Sequence, residues 1–104
     1  MWRPLTVLFA LALALAACTP RSVCWDTVEA LDAMWERCGY PIRVELVKED
    51  GRPATCEDVN QVTNPSQYQN ECIPWANTVS CEELGRDPYA IHPACDFQNF
   101  MYFE

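Results

Sequence analysis

Six cysteines set the terms on which this chain can fold. Cys24, Cys38, Cys56, Cys72, Cys81 and Cys95 follow one another at intervals of 14, 18, 16, 9 and 14 residues. No two stand two to four residues apart, so the zinc-knuckle spacing is missing and a metal site is not expected. Wide and fairly even intervals suit cross-links between separate elements instead. Such a chain folds as a small stapled domain in an oxidising compartment, and its reduced form should fold poorly.

A seventh cysteine, Cys18, makes the count odd. It closes the run Leu15-Ala16-Ala17-Cys18, behind a positive Arg3 and thirteen uncharged residues from Leu5 to Ala17. That stretch is too short for a stable membrane span and reads as a secretory signal. Its ending resembles the bacterial lipobox. The resemblance implies removal of residues 1–17, lipid on the Cys18 thiol and acylation of the new N-terminus, leaving six cysteines for three disulfides. An ordinary secretory signal, cut after Ala14 or Ala16, would instead leave Cys18 as a free thiol. Thr19 follows the cysteine and no aspartate occupies that sorting position. By resemblance to the usual enterobacterial pattern, the outer membrane is expected rather than the inner.

Cleavage would leave 87 residues, enough for one domain. A domain of that size buries only about 60–65% of its unfolded surface, so disulfides are needed beside the core. After loss of Arg3, six Lys and Arg face fifteen Asp and Glu, a formal charge of −9. That argues against nucleic acid, where basic patches supply most of the affinity. It argues equally against electrostatic adhesion to anionic lipid, so membrane contact is assigned to the lipid on Cys18.

The expected layout is a short lipid-proximal tether, residues 18–23, and a single domain, residues 24–104. Thr19 to Val23 would reach at most about 17 Å if extended. A helix is expected over Val23 to Arg37, with Ser22 as N-cap and Gly39 just past the end. Cys24, Val28, Leu31, Trp35 and Cys38 form its apolar stripe, opposite Asp26, Glu29, Asp32 and Glu36. Ile42 to Val47 alternates as a half-buried strand would, before a turn centred on Asp50-Gly51. Thr55-Cys56-Glu57-Asp58 has the form of a capping box and opens a second helical region. Asn64-Pro65 interrupts that region, and Pro65 would serve equally as the first position of a further helix. Pro74 breaks or kinks the run into Cys72 and beyond. Ser80-Cys81-Glu82-Glu83 opens a short last helix that Gly85 ends. An aromatic tail, Phe97 to Phe103, closes the chain.

Part of this pattern is similar to small cysteine-rich bacterial lipoproteins. The residues concerned are Glu71-Cys72, Val79-Ser80-Cys81-Glu82-Glu83-Leu84 and His92-Pro93-Ala94-Cys95, with the Cys38-Gly39 pair before them. The resemblance covers about half of the mature chain. It implies a compact helical, disulfide-bonded lipoprotein and no particular activity.

Residue chemistry points away from catalysis. His92, the single histidine, precedes a proline in a loop, and no nucleophile elbow accompanies it, so a plain surface role is expected. Glu49-Asp50 before Gly51 lacks the alternating ligands of a calcium loop. Glu82-Glu83 suits helix capping and the helix dipole. Trp35 belongs to the stripe of the first helix, whereas Trp25 lies off it and nearest the lipid end. Packing is still the favoured expectation for Trp25, as for Trp35 and Trp75, with the headgroup interface as the alternative. The tail is expected to pack over the disulfide framework, with a partner-binding or membrane-inserting tail as the alternative.

The reading that follows is a mainly α, disulfide-stapled antiparallel helical bundle with one short hairpin or extended arm. Its expected role is non-enzymatic: an envelope lipoprotein without cofactor, metal or nucleic acid, binding or supporting another envelope protein. The alternative is an inhibitor-like or immunity-like module acting on a basic enzyme, and a small hydrolase is the weakest reading. The cysteines allow fifteen pairings. Cys24 and Cys38 would lie about 21 Å apart on one helix, too far to bond. A second helix folding straight back would give Cys24–Cys72 and Cys38–Cys56, with Cys81–Cys95 stapling the last helix to its loop.

Overall fold

The computed structural model describes residues 19–103. Cys18 and the signal at residues 1–17 lie outside them. The fold is of the mainly α, disulfide-stapled class, with two short antiparallel strand pairs.

Helix α1, Pro20–Arg37, begins three residues earlier than the apolar stripe suggests. Thr19 is the N-cap and accepts a hydrogen bond from Ser22 N–H at 3.2 Å, while Pro20 takes the first turn, where its missing N–H costs nothing. Residues 19–23 of the expected tether are therefore the cap and first turn of the helix. Gly39, at φ +80°, ends α1 as expected. The buried face is Val23, Cys24, Thr27, Leu31, Met34 and Trp35, rotated slightly from the expected stripe, with Val28 and Cys38 at its margin. Thr27 tolerates full burial because its hydroxyl donates to Val23 O at 2.8 Å.

The chain then returns along α1. Asp32 accepts from Val44 N–H at 2.8 Å and ties this return to the helix. Ile42, Val44 and Leu46 turn inward and Arg43, Glu45 and Val47 outward, but only β1, Leu46–Val47, finds a strand partner, β2, Pro53–Ala54. Gly51, at φ +87°, makes the turn between them.

After β2 the expected second helix is largely replaced. Thr55 N–H donates to the Asp58 carboxylate at 2.9 Å, but the capped element is a single 3-10 turn, Cys56–Asp58. Strand β3, Val59–Val62, follows and pairs with β4, Phe100–Tyr102, from the aromatic tail. Val59, Val62 and Thr63 are β-branched, and the tail offers them a long-range partner that outweighs helix continuation. Asn64, at φ +58°, turns the chain into helix α2 over residues 65–78. This helix has three parts: Pro65–Gln67, a π-helical turn Tyr68–Cys72, and Ile73–Thr78. Pro74 does not break it. The wider turn places Ile73 N–H on Tyr68 O and relaxes the crowding that a proline ring imposes four residues back.

Helix α2 packs on α1, and the C-terminal ends of the two meet. Arg37 donates to Val79 O at 2.8 Å and Ala76 O at 3.3 Å, satisfying carbonyls at the end of α2. The short α3, Cys81–Leu84, follows, with Ser80 as its N-cap accepting from Glu83 N–H at 3.1 Å.

All six cysteines are bridged, but not in the expected ladder. The bonds are Cys24–Cys56, Cys38–Cys81 and Cys72–Cys95, with Cα separations of 5.5, 5.3 and 5.0 Å. The ladder assumed that residue 56 sits near the end of α1. Residues 39–55 instead travel back along α1 as the hairpin arm and bring Cys56 to its beginning. The end of α2 meets the end of α1, which places Cys81 beside Cys38. Cys72, at the π-turn, is left to the 3-10 turn Pro93–Cys95.

Candidate binding groove

An open groove of about 730 Å³ runs between the two strand pairs. One wall is the β1 arm, Glu45 to Val47 with Glu49. The other is built from Ile91 to Pro93, Asp96 to Gln98, and the β4 residues Phe100 and Tyr102. Alternation on each strand decides what enters it. Leu46 and Phe100 are buried, and Phe97, Ile91 and Tyr102 pack partly against the core, so the floor is apolar. Glu45, Glu49 and Asp96 bring three carboxylates to the lining, and neither lysine nor arginine joins them. Among the described residues, β1 has a strand neighbour only in β2, and β4 only in β3.

The β4 wall is fixed from behind. The Phe100 ring lies 5.0 Å from that of Tyr68 and 5.3 Å from that of Phe97, centroid to centroid. Tyr68 is wholly buried, and its hydroxyl donates to Asp96 O, joining α2 to the groove wall. Burial pushes the Tyr68 phenol above its ordinary pKa. Burial, with the neighbouring Asp58 charge, does the same to Tyr102. The Cys72–Cys95 bond ties the adjoining turn to the same helix.

His92 has a structural part rather than the plain surface role expected of it. Half-buried, it accepts Ala94 N–H on Nδ1 at 3.0 Å, caps the turn that carries Cys95, and lies 5.8 Å from the Trp75 ring. The residues nearest to being its catalytic companions are engaged in the same way. Ser80 caps α3, and the Asp96 carboxylate accepts Gln98 N–H at 2.9 Å. Among the described residues no group of three or more histidine, cysteine or acidic side chains could hold a metal ion. Glu49-Asp50 belongs to the hairpin turn, where Asp50 pairs with Arg52.

Trp35 packs in the core and donates Nε1–H to Pro88 O at 2.7 Å, and Trp75 is half-buried against it. Trp25 is exposed. The tail divides: Phe97, Phe100 and Tyr102 pack, whereas Met101 and Phe103 do not. The groove itself escaped the sequence reading. Its signal was present in the outward Glu45 of the alternating arm and the two-residue spacing of Phe100 and Tyr102, but nothing local shows that these segments face each other.

No family model, curated protein or solved structure matches the chain. Among the described residues no helix is long and apolar enough to cross a membrane.

Proposed function

We propose that this chain is a bacterial envelope lipoprotein, held by lipid on Cys18 in the outer membrane. Its stapled domain is a non-catalytic protein-binding module that takes an extended, basic and apolar segment of a partner into the groove between β1 and β4. The observation that carries the reading is the lining of that groove, an apolar floor with three carboxylates and no opposing cation. Acidic walls favour Lys and Arg side chains, and the single-sided strands at its rims suit an extended segment. The wider charge balance, formal −8 over the whole chain, favours the same kind of partner. The lipid anchor rests on the Leu15-Ala16-Ala17-Cys18 ending and on the even set of six cysteines it leaves.

A photo-reactive residue placed at Val47 or Gln98 in growing cells tests the binding reading, with the exposed Glu82 on α3 as control. Adducts to a basic envelope protein are expected from the first two positions. They should fall roughly tenfold when Glu45→Lys and Glu49→Lys are introduced together. Adducts indifferent to that charge reversal, or equal from Glu82, would defeat the reading. A single soluble basic enzyme as the adduct would instead favour the inhibitor-like module.

A further inference from the structure

Outside the groove, an exposed apolar surface gathers at the start of α1. Thr19, the residue after Cys18, is already the cap of α1, its carbonyl accepting from Val23 N–H at 3.0 Å and from Ser22 Oγ–H at 2.8 Å. No spacer therefore separates the expected acylation site from the folded domain. Arg21 and Trp25 are four residues apart on α1 and share a face. The Arg21 guanidinium lies 5.5 Å from the centre of the Phe103 ring, which brings the tail of the chain to the start of α1. Phe103 N–H donates to Asp58 O at 2.8 Å and extends the β4 ladder by one residue. Met101 and Phe103, two apart on an extended strand, thus point to one side, away from the buried Phe100. Trp25, Met101 and Phe103 are 41%, 49% and 48% exposed, although each is large and apolar.

The cations are unevenly placed as well. Lys48 and Arg52 line a cleft of about 650 Å³ together with Met101 and Phe103, and Arg21 lies against Phe103. Half of the six basic side chains beyond the signal thus border this patch, in a chain that is otherwise strongly acidic. Glu49 and Asp50 stand in the same turn, so the border is mixed rather than purely cationic.

We propose that Trp25, Met101, Phe103 and Arg21 form a membrane-docking face that seats the domain in the headgroup region of the leaflet holding the Cys18 lipid. The inference rests on the lipoprotein reading of Cys18. Chain continuity selects the bilayer as occupant. Trp25 follows Pro20, the first residue of α1, by five residues, about 8 Å of rise, and Cys18 precedes Pro20 by two in the chain, so the anchor holds this face at the surface. Tryptophan with flanking arginine is the side-chain chemistry that a membrane–water interface favours. The mixed charge border suits zwitterionic headgroups. Lipid and patch together make two attachments, which fix the orientation of the domain where a lipid alone would let it swing.

The full chain, purified from bacteria fed labelled palmitate and reconstituted in phosphatidylethanolamine–phosphatidylcholine vesicles, provides the test. Brominated acyl chains should quench Trp25 fluorescence, read as the part of the quenching lost in Trp25→Ser, because Trp35 is buried in the core and Trp75 is half-buried. Trp25→Ser should remove most of the total quenching. Phe103→Ser, read with Trp25 in place, should reduce it several-fold. Tyr89→Ser, at an exposed aromatic in the loop beside Trp35, should leave it unchanged. Palmitate labelling with no quenching of Trp25 overturns the docking face and leaves the anchor standing. Absence of palmitate on the wild-type chain overturns the anchor and the docking face together. A concentration-dependent dimer lost in Trp25→Ser, without quenching, assigns the patch to a second copy and also overturns it.

Discussion

The two strand pairs that flank the groove differ in what holds them. β1 and β2 are neighbours in sequence, closed by a five-residue turn, and carry one buried side chain, Leu46. Their ties to the rest of the domain are the Asp32–Val44 hydrogen bond, the inward faces of Ile42 and Val44, and the Cys24–Cys56 bond two residues past β2. β3 and β4 come from distant parts of the chain, yet they lie between two disulfides and in front of Tyr68. A local pair costs little loop entropy to form and needs little to hold it; a long-range pair needs staples. We infer that the β3–β4 wall is the more firmly held of the two and the β1–β2 wall the more compliant, which on the binding reading proposed above would let the groove take segments of varied bulk.

Cutting a staple should break this difference most severely. The loops closed by Cys24–Cys56, Cys38–Cys81 and Cys72–Cys95 span 32, 43 and 23 residues. Because closure entropy grows only with the logarithm of length, each bond is worth about 3–4 kcal/mol in the chain-entropy model. That is a large part of the whole stability of a domain this small. Replacing both Cys72 and Cys95 by alanine should cost about 4 kcal/mol in urea unfolding, since both sites are fully buried. Near-wild-type stability in that variant would show that the β4 wall does not depend on its staple.

Side-chain truncation sharpens the contrast at smaller scale. Phe100→Ala removes a ring packed between Tyr68 and Phe97 and should cost about 3 kcal/mol. Leu46→Ala, at the rim of the groove, should cost about 2 kcal/mol, the low end for a buried leucine, because the arm can close over the vacancy. Paired chemical-denaturation curves measure both. Equal losses would mean that the two walls are equally rigid.

The same contrast explains which parts of the fold were legible in the sequence. Elements specified within a few residues were readable: the body of α1, its Gly39 stop, the Ser80 cap of α3, the Asp50-Gly51 turn and the alternation from Ile42 to Leu46. The Thr19-Pro20 start of α1 was equally local but was masked by the attractive Ser22. What could not be read depends on pairing across the chain. Val59 to Val62 follows a valid capping signal, and only the presence of Phe100 to Tyr102 makes it a strand. The disulfide partners were missed for a related reason, because they depend on the hairpin arm running back along the full length of α1. The groove inherits that limit, since the alternating arm of one wall was visible while the β4 wall and the apposition of the two were not.

The smallest effect expected separates the two walls by pH. Asp50 has its carboxyl held below the usual value of 3.8, chiefly by the Arg52 backbone N–H, with the Arg52 side chain adding to the effect. Its contribution to the β1–β2 turn is therefore complete above pH 3.8 and lost as pH falls through the lowered value. Tyr68 and Tyr102 behave oppositely, because burial raises both above 10.0. Their neutral forms support the β3–β4 wall fully below pH 10, and that support is lost as pH rises through the raised values. Acid should thus loosen the compliant wall first and alkali the fixed one. Methyl resonances report the two sites separately, with Val47 shifting at low pH while Val59 and Val62 hold, and the reverse at high pH. Asp50→Asn should abolish the acid shift of Val47 and leave the alkaline transition in place. If Val47 and Val59 moved together at both extremes, the two strand pairs would be one cooperative unit, and the groove would have no compliant wall.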